Sequence, residues 1–487
     1  MNILENTARG SGAGLLAPPA VADGSGEWTV KHYLLVLGVL AGAAVFVLGV
    51  TVPLGQPLVG ALLVGLPAGL LILWKPEFGL YILLFLILVE GLAKVGSTAT
   101  TLSKVLGIYT FGAVVVHGVL RRQINVRSSS LWLGIGFAVW STLTIIEARD
   151  PAFAWTRALT RIQMIGLFFV AINTCMSKEA AKMFMWSLFL SAVVGSVGGL
   201  ILPEARFAAA GRLSLAGEQV NTYAKSLVPG IMLMPYVVSQ VRHRVLRWLL
   251  VGVVVVVFVA LLRTGSRAVF AGALAGVLVG VFTYRGVSLV RRIPLGIGVL
   301  AGIGVVVALG FFLNLWGAEF GERLQALSEK GLKLGGRDIL YSRALRMGLE
   351  NPIMGVGVGN YVYETLKLGT GGRHGISVVH NDFLSHFAET GFPGLFLYVA
   401  MLLAITRDAW RVADARLRSG LLAILFVAVF ASMANPSDSA KSYWLQLGAC
   451  VVAGLVLGRP TPAEPDGSGK PRLSRTPVAG GATGRRL

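Results

Sequence analysis

The feature that most constrains this chain is the recurrence of apolar runs about 20 residues long, separated by short charged or Gly/Pro-rich breaks. A bilayer hydrocarbon core of roughly 30 Å takes about 20 helical residues to cross, so each run is long enough for one passage. Within lipid every backbone N–H and C=O must be satisfied inside the segment, which selects helices for such runs. The expectation is therefore an all-α, polytopic integral membrane protein. Across 487 residues, 55% are hydrophobic and only 14% charged, which excludes an ordinary soluble domain. Candidate crossings fall at 33–50, 57–74, 78–93, 104–120, 131–147, 157–175, 182–202, 226–241, 246–262, 268–284, 293–315, 391–407, 418–434 and 441–458. That makes fourteen, or twelve if two are not true crossings; the short runs 78–93 and 226–241 are candidates for tilted, re-entrant or broken helices.

The formal charge of +20 would suit a nucleic-acid partner if it formed a continuous patch, but it does not. Its lysines and arginines gather in short clusters between crossings: Arg121, Arg122 and Arg127; Lys178 and Lys182; Arg242, Arg244 and Arg247; Arg285, Arg291 and Arg292; Arg407, Arg411, Arg416 and Arg418. Counted alternately, all of these fall on one side, which the positive-inside rule makes cytoplasmic. No nucleic-acid role follows. The domain reading is a cytoplasmic tail at 1–32 without a cleavable signal, eleven crossings at 33–316, a large outer segment at 317–390 expected to contain helices, three crossings at 391–458, and a disordered cytoplasmic tail at 459–487. The two cysteines, Cys175 and Cys450, lie near cytoplasmic ends of apolar runs and read as packing residues.

The outer face carries the candidate chemistry. Its long segment opens with a charged amphipathic stretch, Glu319 to Lys333, followed by Gly335, Gly336 and Arg337, then a helical pattern through Arg343 and Arg346 to Glu350, closed by Asn351 and Pro352. The glycine-rich run Gly355-Val-Gly357-Val-Gly359-Asn360 is either a phosphate cradle or a tight turn between helices; without a following Lys-Ser/Thr it is not a P-loop. His380 stands one or two turns before a crossing, where an imidazole can exchange a proton near neutral pH, or simply cap or snorkel. His386 would not share its helical face, whereas Asp382 and Glu389, seven apart, could share one. Arg206, Arg212, Arg263, Arg267 and Arg337 all fall outside, against the positive-inside trend. Fixed cations there call for an anion: a lipid diphosphate, or a carboxylate such as Glu204, Glu218 or Asp338. No outer Asp-x-Asp, His-Glu-x-x-His, Walker or Cys-x-x-Cys sequence is present, so no cofactor or metal is expected.

Four stretches, in order, resemble the O-antigen ligase and polymerase superfamily of membrane glycosyltransferases: Gly211-Arg212-Leu-Ser-Leu-Ala-Gly217 with Asn221; Thr264-Gly-Ser-Arg267-Ala; Gly336-Arg337 through Asn351-Pro-Ile-Met-Gly-Val-Gly-Val-Gly-Asn360; and His380-Asn381 through Glu389-Thr-Gly391. The resemblance covers Gly211 to Gly394; the crossings before it match only in character. It implies a multi-pass protein of the bacterial inner membrane with its active site facing the periplasm. The implied reaction is metal-independent and inverting, moving a glycan from an undecaprenyl-diphosphate-linked donor to a glycan or lipid A-core acceptor. By it, His380 would be the general base, Arg212 and Arg337 would bind the donor diphosphate with Arg267 as a third contact, and Asn221, Gly357, Gly359, Asn381 and Glu389 would support them. The partners implied are these two substrates and membrane lipids. Ligase, polymerase and protein-glycosylating chemistries share the pattern, and Tyr361 to Val379, with Arg373-His374, is the candidate region for acceptor choice. The rival class is a transporter or flippase of polysaccharide or lipid-linked glycan, expected to show repeated halves and charged or broken helices near the midplane.

Overall fold

The computed structural model describes residues 28–51, 57–90, 101–121, 124–202, 212–215, 218–312, 337–367 and 378–458. Residues 1–27 of the expected tail at 1–32, the expected tail at 459–487, the charged stretch Glu319 to Lys333, Arg206 and the Arg373-His374 pair lie outside the described residues. Among the described residues the chain is helical, with one isolated β-bridge joining Val412 to Gly458.

The helices, in chain order, are α1 (Val30–Thr51), α2 (Pro57–Trp74), α3 (Glu77–Leu88), α4 (Leu102–Arg121) and α5 (Ser129–Leu143), the last prolonged by a 3-10 turn, Thr144–Glu147. Next come α6 (Pro151–Thr174), α7 (Lys178–Ile201), α8 (Val220–Met232), α9 (Met234–Gln240), α10 (Arg244–Arg263), α11 (Arg267–Thr283) and α12 (Leu289–Phe312). The outer segment supplies α13 (Arg337–Glu350) and α14 (Tyr361–Lys367), and the chain returns through α15 (Asp382–Arg411), α16 (Ala415–Ser432) and α17 (Lys441–Val456). Several starts are fixed by side-chain caps, which satisfy otherwise orphaned N–H groups: Ser128 accepts from Leu131 N, Asp150 from Phe153 N, Ser177 from Ala180 N and Asn381 from Leu384 N.

Every expected crossing overlaps a helix, but among the described residues seven helices are long and apolar enough to span by themselves: α1, α4, α5 with its 3-10 turn, α7, α10, α15 and α16. Three further apolar helices are shorter, Leu62–Trp74, Glu77–Leu88 and Arg267–Thr283. The difference has local causes. The run at 226–241 breaks at Leu233, where Pro235 starts α9 and so cannot continue α8. The run at 157–175 carries Arg157 and Arg161 in its outer half, and α17 has only 16 residues.

Packing is uneven along the chain. Of the α16 window, 72% is buried inside the protein, against 6% for α1, so the carboxyl-terminal helices form the centre and α1 faces outward. Helix α15 packs against α5, α16 and α17, while α17 lies on α6 and α11 on α16. Lipid is as apolar as leucine, so such helices are held together by close packing and interhelical polar bonds rather than by hydrophobic exclusion. The Tyr398–Tyr443 hydroxyl pair at 2.7 Å is one such bond. Cys175 and Cys450 are free thiols buried in this core, as expected.

Candidate active site

The site is assembled from the carboxyl-terminal end of α5, the amino-terminal ends of α6, α8, α13 and α15, and the turn 433–440 that joins α16 to α17. Helix α15 is broken at Gly391, whose φ of 67° and ψ of −169° are open to glycine and costly for other residues. The break leaves backbone groups that the glycine-rich run takes up: Phe392 N donates to Pro352 O at 2.7 Å and Val356 N to Ala388 O at 2.9 Å. Trp140 Nε1 caps Thr390 O at 2.8 Å.

Gly357 and Gly359 belong to this seam. A Cβ on Gly357 would stand 2.7 Å from the Ala148 backbone, and one on Gly359 would meet Arg157 Cγ at 2.5 Å; both have positive φ. Asn360, fully buried, accepts from Asp150 N at 2.9 Å, and Val358 N donates to Thr144 Oγ1 at 3.2 Å. Of the two readings of the run, the structure supports the turn: its glycines allow backbone to touch backbone, locking the start of α15 to the start of α6.

This seam presents His380. It is the one non-glycine with positive φ among the described residues, at 56°, and its Nδ1 is buried with no partner there. Strain of this kind persists where the surroundings over-determine it, and it gathers at functional positions. The surroundings are visible: Asn381 caps α15, and the Tyr341 hydroxyl reaches His380 O at 3.5 Å and donates to Met433 O at 3.1 Å. Tyr341 lies one helical turn beyond Arg337, which opens α13. Burial holds the imidazole below the ordinary histidine range, and the nearby Arg337 charge lowers it further, so the ring is a free base at neutral pH.

His380 lines a cleft open to solvent, with Arg157, Tyr361, Asp382, Ser385, Glu389 and Asp438 among its walls. Asp382 and Glu389 do share it, as their spacing suggested. Beneath lies a locked floor. Arg161 donates to Ser141 Oγ at 2.9 Å, meets His386 Nδ1 at 3.1 Å, Glu389 Oε2 at 3.4 Å and Asp438 Oδ2 at 3.6 Å, and sits 5.1 Å over the Phe137 ring. Burial would push the Asp438 carboxyl up, but Arg161, His386, Arg157 and the Ser439 hydrogen bond together outweigh it and hold the group below the usual range. His386 points into the protein against Phe137 and Tyr398, away from the cleft.

Arg212 lies across the 433–440 turn from this floor. Its Nε donates to Thr264 O at 2.8 Å and its Nη2 to Asn221 Oδ1 at 3.3 Å; Ser266 Oγ donates to the same Asn221 oxygen at 2.8 Å. Leu213 N donates to Arg263 O, so the first two sequence stretches meet in space. Arg267, exposed, begins the adjoining helix. Asn221 Nδ2 then donates to Asn435 Oδ1 at 2.9 Å, and Lys225 Nζ donates to Asn435 O, Pro436 O and Ser437 Oγ. Ser437 N in turn donates to Asp382 in the first turn of α15. A continuous polar chain thus runs from Arg212 to the helix that His380 precedes.

The structure therefore places Arg337 within electrostatic range of His380, unites Arg212 with Asn221 and Ser266 in a second cluster, and links that cluster to the start of α15 through the 433–440 turn. Sequence reasoning missed Arg161, Lys225, Asn435 and Asp438. The signal for the first two was present: an arginine inside an apolar run and a lysine at the edge of another mark functional or paired positions. Asn435-Pro-Ser-Asp438 gave only a turn signal. Among the described residues no group of three or more His, Cys, Asp or Glu is placed to hold a metal ion.

Residues 252–399, which include Arg267, Arg337, the glycine run and His380, match the family model described as O-Antigen ligase. The resemblance to the O-antigen ligase and polymerase superfamily is thus shown across that region. No curated protein matches the chain. Among solved structures, a chain from work on structural coordination of polymerization and crosslinking by a peptidoglycan synthase complex is similar over 68% of this chain and 98% of its own, at 17% identity and a TM-score of 0.42.

Proposed function

From the premise of an O-antigen ligase region at residues 252–399, we propose that this protein transfers a glycan from an undecaprenyl-diphosphate-linked donor to an acceptor hydroxyl on the periplasmic face of the inner membrane. The observation that carries the reading is His380, a residue with a strained backbone and a buried, unpartnered Nδ1 that lines the cleft within electrostatic range of Arg337 and precedes a helix whose first turn is linked by hydrogen bonds to the Arg212 cluster.

In this reaction His380 takes the proton of the acceptor hydroxyl as its oxygen attacks the anomeric carbon. The bond from that carbon to the diphosphate oxygen breaks, and its electron pair leaves with the diphosphate. Arg337 and Arg212, with Arg267 at the rim, stabilise the charge growing there; planar guanidinium forks match phosphate oxygens and keep their charge. Attack opposite the leaving group inverts the anomeric centre. Arginine supplies the electrostatic stabilisation that a divalent cation gives other transferases, so no metal enters the scheme.

Purified protein in lipid vesicles, given a lipid-diphosphate glycan, an acceptor and EDTA, should form a new glycosidic linkage. Movement of the lipid-linked glycan across the vesicle with no new linkage would replace this reading with a flippase.

A further inference from the structure

A polar cavity lies at the opposite end of α6 from the cleft. Arg157 and Arg161 near the head of α6 line the cleft, whereas Asn173 and Thr174 at its tail line this cavity, about 18 Å further along the axis at 1.5 Å per residue. The other walls are the start of α1, the α2–α3 turn, the end of α4 and the start of α7. Two cations are brought to it by local structure. His117 Nε2 donates to Leu73 O, which clamps the last turns of α4 to the end of α2. Arg121 follows His117 by one helical turn on the same face of α4, and Lys75 follows Leu73 by two residues, so both line the cavity.

Hydrogen-bonding capacity in the cavity is one-sided. Asn173 accepts from Asn125 N at 2.6 Å and donates to Phe169 O at 3.0 Å; Thr174 Oγ1 donates to Val170 O at 2.9 Å, and Ser177 Oγ accepts from Ala180 N at 3.1 Å. Tyr33 Oη donates to Glu77 Oε1 at 2.9 Å. The side chains of Lys75 and Arg121, by contrast, have no hydrogen bond among the described residues. Lys75 Nζ stands 3.8 Å from Glu77 Oε1 and 4.6 Å over the Trp28 ring, which holds the ammonium in place without a hydrogen bond. Glu179, in the adjoining first turn of α7, is taken by Lys182 Nζ at 2.5 Å and Val30 N at 3.3 Å. Glu77 is then the one carboxylate on the walls against two cations. The complement to such a site is an anion with several acceptor oxygens, as in a phosphate.

The surroundings identify the source of that phosphate. Helices α2 and α4 turn apolar side chains outward beside the cavity, with Leu70 67% and Val116 53% exposed, and the Trp74 ring lies 5.6 Å from Lys75 Nζ. In a chain that spans a bilayer such faces meet acyl chains, and tryptophan with lysine marks the headgroup level. A phospholipid can seat its phosphate in the cavity with its chains along α2 and α4.

We propose that this cavity binds the phosphate of an anionic phospholipid in the leaflet opposite the cleft, with Lys75 and Arg121 as its cationic contacts. The bound lipid ties the head of α1, whose window is only 6% buried, to α4, α6 and α7. Nothing in this inference depends on the transferase reading.

The test is thermal unfolding and native mass spectrometry of the full-length protein in detergent, with phosphatidylglycerol or phosphatidylcholine added. Phosphatidylglycerol should raise the thermal midpoint and stay bound in the gas phase, and phosphatidylcholine should do neither. Arg121→Gln should weaken the apparent phosphatidylglycerol affinity about tenfold, equivalent to 1.4 kcal/mol, and Lys75→Gln should act in the same direction. Arg121 is exposed, so its replacement probes the site without disturbing the core. Arg291→Gln, in a basic cluster outside the cavity, should leave the affinity unchanged. Equal binding of phosphatidylcholine, undiminished binding by Arg121→Gln, or an equal loss with Arg291→Gln would overturn the proposal. Glycerol phosphate that matched the lipid at equal concentration would assign the cavity to a soluble anion and overturn it as well.

Discussion

The lip and the floor of the cleft are made from the same pair of residue types, a histidine beside an arginine, and they are arranged for opposite purposes. At the lip, His380 is half-buried, strained and short of a partner on Nδ1, and Arg337 lies near enough to lower its proton affinity. On the floor, His386 is fully buried, and Arg161 is wedged among Ser141, Glu389 and Asp438. Two carboxylates around one guanidinium leave no cationic charge to offer a ligand. Burial and partners, rather than residue type, separate the available pair from the locked one.

The sharpest break of that contrast is His380→Ala. Transfer should fall by about 100- to 10,000-fold, the usual contribution of a positioned general base, while the thermal midpoint in detergent stays put. Retained turnover would move the base elsewhere. On the floor the effect reverses: Arg161→Ala leaves Glu389 and Asp438 without their counter-ion and should cost about 3–5 kcal/mol of stability, read as a large drop in thermal midpoint. A well-folded, inactive Arg161→Ala protein would mean that the floor also does chemistry. Smaller again, Arg337→Lys should raise donor KM about tenfold, since a point charge replaces a two-pronged contact; an unchanged KM would detach Arg337 from the diphosphate.

The smallest effect is on pH. A base acts only when deprotonated, so activity is lost as pH falls through the pKa of His380, which burial and Arg337 place below the ordinary value. The acid limb should accordingly lie below that of an exposed histidine, and Arg337→Gln should shift it upward by removing the charge that opposes protonation. A downward shift would contradict the electrostatic pairing. His386→Gln should leave the limb where it is.

Much of the architecture was legible because hydrocarbon imposes a length on each helix and forbids alternatives to it. The runs at 182–202 and 418–434 could be read directly and fall on the spans Lys178–Ile201 and Ala415–Ser432. The count was less so: 226–241 splits at a proline, and the outer half of 157–175 turns arginines inward, both of which depend on neighbours rather than on composition. At the site, His380 and Arg337 were visible as outer, charged and near a membrane edge. The floor was not, since Arg161 and Asp438 are 277 positions apart and only the folded turn at 433–440 joins them. The glycines at 357 and 359 were visible as a pattern, but choosing between cradle and turn required the backbone of Ala148 and the side chain of Arg157 to be in place.

The break in α15 has one last consequence. Because Phe392 N and Val356 N tie its two sides to the 352–356 segment, and Asn360 ties that segment's continuation to the head of α6, His380 is held at a fixed position relative to α6. A carrier lipid tethers its first sugar at a fixed height as well. In the proposed reaction, two such constraints would align the bond to be cut with the base whatever the span of polymer beyond it, and the scaffold would register the anchored end of a glycan and be indifferent to how far the rest extends.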